Sequence, residues 1–296
     1  MQPLYPFDFS GRALDAYSSV FGALPVAVQY VFAVLLGLVI GSFLSVVVHR
    51  LPLMLERAWR AEVSPDESAP AGRYNLAVPR SACPHCGHVL RAWENIPVVS
   101  YLLLRGRCSA CGTRISARYP LTELSTALLA VVSLYAFGPT LMALAAFGLC
   151  ATLLAASLID FDTKYLPDSL TLPLLWAGLV VNLSESGFVP LHEAVAGAIA
   201  GYVFLWCVYW LFKLVRGVEG MGYGDFKLLA AIGAWLGWQA LPQIVLVSAL
   251  AGAMVGLAAT VVGRMRFEEP LPFGPFLAAG GAITLFFGTP FYALFG

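Results

Sequence analysis

"EGMGYGDFK" runs from Glu219 to Lys227, and its reading decides how the chain is built. Gly220, Gly222 and Gly224, at every second position, lead to one carboxylate, Asp225, and the chain then turns apolar for about the length of a membrane-crossing helix. An N-cap needs one suitable residue, not three alternating glycines before it. Glycine lets a backbone adopt positive φ or approach a neighbour closely. The run therefore predicts a flexible entry to an apolar helix, and an extended substrate strand is one candidate for what the backbone approaches. Gly220, Gly222 and Gly224 are the candidate substrate-binding positions, and Asp225 is a candidate catalytic acid.

Outward from this stretch, the 296 residues are 59% hydrophobic and 11% charged, whereas soluble domains carry about 25% charged residues. A spanning helix needs roughly 20 mostly apolar residues. Eight segments qualify as candidate spans: 26–48, 121–137, 140–159, 169–186, 192–212, 225–241, 243–263 and 271–294. Gly138 and Pro139 alone separate the second from the third. The fold class expected is an all-α polytopic membrane protein of about eight transmembrane helices with a small cytoplasmic zinc-ribbon-like insertion. Three regions follow: 1–48, an outer N-terminus and first span; 49–119, a polar loop; and 120–296, the remaining membrane domain. The start, "MQPLYPFDFSGRALDAYSS", lacks the basic opening and apolar core of a cleavable signal peptide, so insertion is expected from internal segments. A net charge of zero gives no global attraction to nucleic acid. Membrane lipid is the expected surrounding, and nothing in the sequence fixes an oligomeric state.

Lys and Arg are enriched in cytoplasmic loops. His49–Tyr119 holds ten of the 17: Arg50, Arg57, Arg60, Arg73, Arg80, Arg91, Arg105, Arg107, Arg114 and Arg118. With that loop in the cytoplasm, alternation puts Lys164, Lys213, Arg216, Lys227, Arg264 and Arg266 there too. Only Arg12 falls outside, and both termini are expected outside.

The polar loop carries "CPHC" (Cys83, Cys86) and "CSAC" (Cys108, Cys111). Two such knuckles at this spacing point to a structural zinc site closed by four thiolates, with no open position for chemistry. Gly87 and Gly112 follow the knuckles and suit tight turns. "CPHC" alone also resembles a thiol oxidoreductase site. The second knuckle and the cytoplasmic placement favour the metal. Cys150 and Cys207 lie within spans and read as small core residues. Residues 51–63 suit either an interfacial helix or a plain connector.

Acids are costly inside a bilayer. Asp160 ends the third span and Asp225 opens the sixth, both at the expected cytoplasmic face. Asp168 reads as the N-cap of the fourth span, and Asp162 as a solvated loop acid near Lys164. Two carboxylates brought close share one proton; one takes a proton from water and the other donates to a scissile carbonyl. That pair hydrolyses a peptide with no metal and no covalent intermediate. "HEAVA" (192–196) has Ala196 where a zinc-protease motif needs its second His. Ser42 has no evident partner base and reads as a packing residue, as do the small residues of "AIAGYV", "ALAGAMVG" and "AAGGA".

At these residues the chain resembles the type IV prepilin peptidases, bifunctional leader peptidases and N-methyltransferases of bacterial pilus and type II secretion systems. The shared pattern includes "GSFLSVVVHRLP" (41–52), "YNLAVPRSACPHCGH" (74–88), "ENIPVVSYLLLRGRCSACG" (94–112) and "RYPLTEL" (118–124). It continues through "IDFDTKYLPDSLTLPLLWAGL" (159–179), "GMGYGDFKLLAAIGAWLGW" (220–238) and "PFGPFLAAGG" (272–281). Ser45 stands where that pattern has Asn. The resemblance implies a GxGD-type aspartic protease with Asp160 and Asp225 as its catalytic pair. It implies cleavage of a basic leader after glycine in prepilins and pseudopilins, then methylation of the new N-terminal amine from S-adenosylmethionine. It also implies a bacterial inner membrane, with both termini periplasmic. No S-adenosylmethionine motif stands out in the sequence itself. An ion-coupled transporter is a rival of another class, because acids at span ends and glycine-broken segments also mark ion sites.

Overall fold

The computed structural model describes residues 18–63, 73–217, 221–263 and 271–289. They form two compact units, one over Leu24–Tyr135 and the other beginning at Ala136. Among the described residues the regular structure is helical, apart from two isolated β-bridges.

In the first unit, helix α1 (Val26–Val63) runs unbroken past Pro52. The segment 51–63 is thus a direct extension of the first span rather than a separate interfacial helix or a connector. Helix α3 (Arg118–Phe137) packs across α1 at two glycines one helical turn apart. A Cβ at Gly37 would lie 2.4 Å from the Cα of Ala127, and one at Gly41 would lie 2.6 Å from the Cα of Glu123. Small residues at this spacing let backbones touch, the main source of helix association in lipid. The buried Glu123 accepts the N–H of Val98 at 2.7 Å, and Ser42 lies beside the same carboxylate.

Between these helices lie the two cysteine knuckles, a short 3₁₀ turn (Ala92–Asn95) and helix α2 (Val99–Leu103). The knuckles have the same backbone. In each, a glycine at positive φ, Gly87 (70°) or Gly112 (71°), donates back to the first cysteine of its pair. The turn expected of those glycines is thus present twice. Glu94 ties the halves together: its carboxylate accepts from the N–H of Arg91 at 2.6 Å, bonds His88 at 3.1 Å, and accepts from the Ser109 hydroxyl.

The second unit is built around helix α7 (Tyr223–Leu236). Phe226, Leu228, Leu229, Ala231, Ile232 and Ala234 are completely buried there. Around it stand α4 (Leu141–Thr163), α5 (Asp168–Val181), α6 (Leu191–Arg216), α8 (Leu241–Val261) and α9 (Gly274–Phe287). The backbones of α6 and α7 meet: a Cβ at Gly197 would lie 2.3 Å from the carbonyl oxygen of Gly233, and one at Gly233 would lie 2.3 Å from that of Gly197. Trp235 donates its indole N–H to the carbonyl of Leu174 at 2.8 Å. Asn182 donates to the carbonyls of Ala234 and Trp235, satisfying the end of α7. On α8, Ser248 donates to the carbonyl of Phe276, holding α9.

Every one of the eight expected spans contains a helix, and the fold is that of an all-α polytopic membrane protein. Among the described residues, five helices are long and apolar enough to cross a membrane by themselves. Helices α5, α7 and α9 have 14 residues each, about 21 Å of rise against a hydrocarbon layer of roughly 30 Å. A buried helix such as α7 need not span alone, because its ends meet protein rather than lipid. Cys150 is in the core as expected, whereas Cys207 lies exposed on α6.

Gly197→Ala is expected to lower the detergent unfolding midpoint by the equivalent of about 1–3 kcal/mol, the usual cost of overpacking. Gly148→Ala, whose Cβ would meet nothing within 4 Å, is expected to leave it unchanged or raise it. For Glu94, the N–H of Arg91, the Ser109 hydroxyl and His88 hold the carboxyl at about 2, below the ordinary 4.5. A depressed value in the folded state means its contribution is complete above 4.5 and disappears as pH falls towards 2. Glu94→Gln is therefore expected to speed amide exchange in the knuckle region at pH 7, with the difference from the parent shrinking across that acid window.

Candidate functional site

Three helix ends of the second unit converge on the two candidate acids. Asp160 lies in the last turn of α4, Asp225 in the first turn of α7, and Gly274 begins α9. Lys164, in a left-handed conformation, ends α4 by donating its N–H to the carbonyl of Asp160 at 2.7 Å. Both acids are buried, at 5% and 7% exposure, which distinguishes them from the exposed Asp162 between them in sequence. They lie within electrostatic reach of each other.

Their surroundings differ. The Oδ2 of Asp160 accepts the N–H of Gly274 at 3.0 Å. The Oδ1 of Asp225 is buried with no hydrogen-bond partner among the described residues. Leu166 fills the space beside them: a Cβ at Gly224 would lie 2.7 Å from its Cβ, and one at Gly274 would lie 3.1 Å from its Cδ1. The close approach that the glycine run suggests is thus present at Gly224, and the neighbour there is Leu166. Gly222 is the N-cap of α7 in an extended conformation, where an added Cβ would have ordinary contacts only. Gly220 lies outside the described residues.

Asp168 is not a cap. Pro167 occupies that position, and both oxygens of Asp168 accept from the ammonium of Lys227 at 2.7 Å. An ion pair serves better than a cap here, since it links α5 to α7 two residues after Asp225. In the sequence alone, Gly274 and Leu166 have no role, and Lys227 has only a cytoplasmic placement, not a partner. The signal for Gly274 is a glycine directly before a proline in "PFGP", a pattern suited to a helix start.

In the first unit the four cysteines come together, with all Sγ atoms within 4.8 Å of one another. The close pairs cross between knuckles: Cys83 to Cys111 and Cys86 to Cys108, each at 3.9 Å. A disulfide requires about 2.0 Å. Tetrahedral ligation with zinc–sulfur bonds of about 2.3 Å puts sulfurs about 3.8 Å apart. The spacing is therefore that of ligands around one ion. The Thr113 hydroxyl and N–H pull the Cys111 thiol down to about 6. The N–H of His88 lowers Cys86 too, but desolvation and the neighbouring sulfurs prevail and push it up to about 12. Four sulfurs this close need a cation before all can be thiolates.

Residues 35–137 match the model of the bacterial peptidase A24 N-terminal domain, and residues 147–257 match that of the type IV leader peptidase family. A prepilin leader peptidase/N-methyltransferase of Burkholderia pseudomallei is 68% identical over 285 residues, 94% of this chain and 92% of that protein. Proteins of the same description from Aeromonas hydrophila (56% identical; 86% of this chain, 89% of that one) and Pseudomonas putida (52%; 92% and 96%) are also similar. No solved structure matches. With two buried acids at converging helix ends, a four-sulfur cluster, and this likeness along nearly its whole length, the chain belongs to the type IV leader peptidase family.

Proposed function

We propose that this chain is a multi-pass inner-membrane aspartic endopeptidase that removes the leader of type IV prepilins and pseudopilins and then N-methylates the exposed terminus. The observation that carries the peptidase reading is the meeting of Asp160 and Asp225, from separate helices, in one buried place. Two carboxylates that share a buried site act as a unit holding one proton between them, so neither is assigned acid or base alone. The ionised member takes a proton from water as the water attacks the peptide carbonyl. The protonated member donates to that carbonyl oxygen, and the amine leaves with a proton returned by the pair. The buried, unpartnered Oδ1 of Asp225 has the capacity to make such a bond.

The site is proposed to face the cytoplasm, with both termini in the periplasm. Sixteen of the 17 Lys and Arg then lie on the cytoplasmic side. A basic leader would be retained there too, placing the bond after its glycine at the inner interface. Gly222 and Gly224, with Gly220, are proposed to border an unwound substrate segment, since a helical peptide bond hides its carbonyl. Cys83, Cys86, Cys108 and Cys111 are proposed to hold one structural zinc ion, which would brace the knuckles and supply no chemistry. S-adenosylmethionine is the proposed methyl donor.

Purified protein with a prepilin tests the peptidase reading by mass spectrometry, which reports leader loss and added methyl separately. Asp160→Asn and Asp225→Asn are each expected to slow cleavage by about 10²–10⁴-fold, while an already trimmed pilin is still methylated. Normal cleavage by either variant would refute the pair, and cleavage by detergent-solubilised parent protein would exclude a gradient-driven carrier. For the knuckles, about one zinc per chain is expected from metal analysis, with loss of the ion and faster knuckle amide exchange in Cys83→Ser. A metal-free parent protein would overturn the assignment.

A further inference from the structure

We infer that Gly274 is a positioning residue for peptide cleavage: its N–H and its missing side chain together fix the carboxylate of Asp160. The inference rests on Asp160 being one of the two catalytic acids. Three observations converge on this glycine. Its N–H is among the first donors of α9, which intrahelical bonding leaves free, and it reaches Oδ2 of Asp160 at 3.0 Å. A Cβ at this position would lie 2.6 Å from that oxygen and 3.2 Å from the carboxyl carbon. The same Cβ would also meet Leu166 at 3.1 Å, and Leu166 in turn packs on Gly224, next to Asp225. Any residue other than glycine must therefore displace either the carboxylate or the side chain that separates the two glycine-bearing helix starts.

The role is local. Helix α9 is held to its neighbours elsewhere, by Ser248 on the carbonyl of Phe276 and by Gln243 on Thr284 and on the carbonyl of Gly288. Pro275 follows Gly274 and fixes the helix start, so the N–H is presented by a rigid turn. A hydrogen bond from a fixed backbone donor orients a carboxylate without adding a charge that would compete with its partner acid.

Gly274→Ala, Gly281→Ala and Asp160→Asn, each in the full chain, test this in one series. At Gly281 the three atoms nearest an added Cβ are all in the flexible side chain of Ile232, at 3.0 Å or more. Gly281→Ala therefore burdens the same helix without touching the acid. A displacement of about 1 Å in a catalytic group costs roughly 10²-fold. Gly274→Ala is accordingly expected to reduce kcat for leader cleavage about 100-fold, with KM within about twofold of the parent. Methylation of trimmed pilin and the melting temperature are expected to match those of Gly281→Ala. A kcat near the parent's, a loss confined to KM, or an early-melting protein that has lost both activities would each overturn the inference. The last outcome would make Gly274 a packing residue. Normal cleavage by Asp160→Asn would instead remove the catalytic pair on which the inference rests.

Discussion

The backbone contact between α6 and α7 is the constraint on which the second unit depends. Lipid tails are as apolar as leucine, so helices in a membrane gain little by hiding apolar side chains from it. They gain by approaching closely. Gly197 and Gly233 each leave no room for a side chain on the other helix, and Gly201 does the same against the backbone of Leu229. This contact seats a helix of only 14 residues in the middle of the bundle. Asn182 and Trp235 then lock its far end to α5. Asp225 lies about 12 Å from Gly233 along the helix, yet its place is set there. A slide of α7 along α6 would carry the acid away from Leu166 and Asp160.

The second requirement is electrostatic. Two carboxylates in an apolar bundle need compensation. Asp225 lies in the first turn of α7, at the positive end of that dipole, and Asp160, at the C-terminal end of α4, is offset by the N–H of the first residue of α9. Neither faces a neutralising lysine in an ion pair among the described residues. Lys227, two residues after Asp225, pairs with Asp168. Dipoles and single N–H donors stabilise negative charge without the full countercharge of a salt bridge.

Much of this was legible in the sequence because it depends on composition and local pattern. Apolar length marked the eight segments that hold α1 and α3 to α9, and paired knuckles marked the four sulfurs that the fold gathers. Asp160 and Asp225 stood out as acids contiguous with apolar helix. What could not be read were contacts between distant segments. Asp168 looks like a cap because it precedes an apolar run; its actual partner, Lys227, belongs to another helix. Gly274 looks like an ordinary helix start, because its partner lies far back in the chain. Cys207 looks like core because α6 is apolar all round, and only packing reveals which face is turned outward. The extension of α1 to Val63 was hidden by Pro52 and by arginines that read as a loop.

The division into two units suits the order that the chemistry imposes. The amine to be methylated does not exist until the peptide bond before it is cut, so the two reactions are sequential and need not share groups. Both acids lie in the second unit and all four cysteines in the first. The two family models likewise meet different stretches, 35–137 and 147–257. Each unit also has its own means of cohesion. Glycine-mediated contacts join α1 to α3 in one and α6 to α7 in the other, and the knuckles are braced by Glu94 within the first. A carboxylate pair proposed for catalysis tolerates little displacement, and contacts inside its own unit hold these two acids. The glycine contacts of α7 and the Gly274 N–H on Asp160 are contacts of this kind, within the second unit.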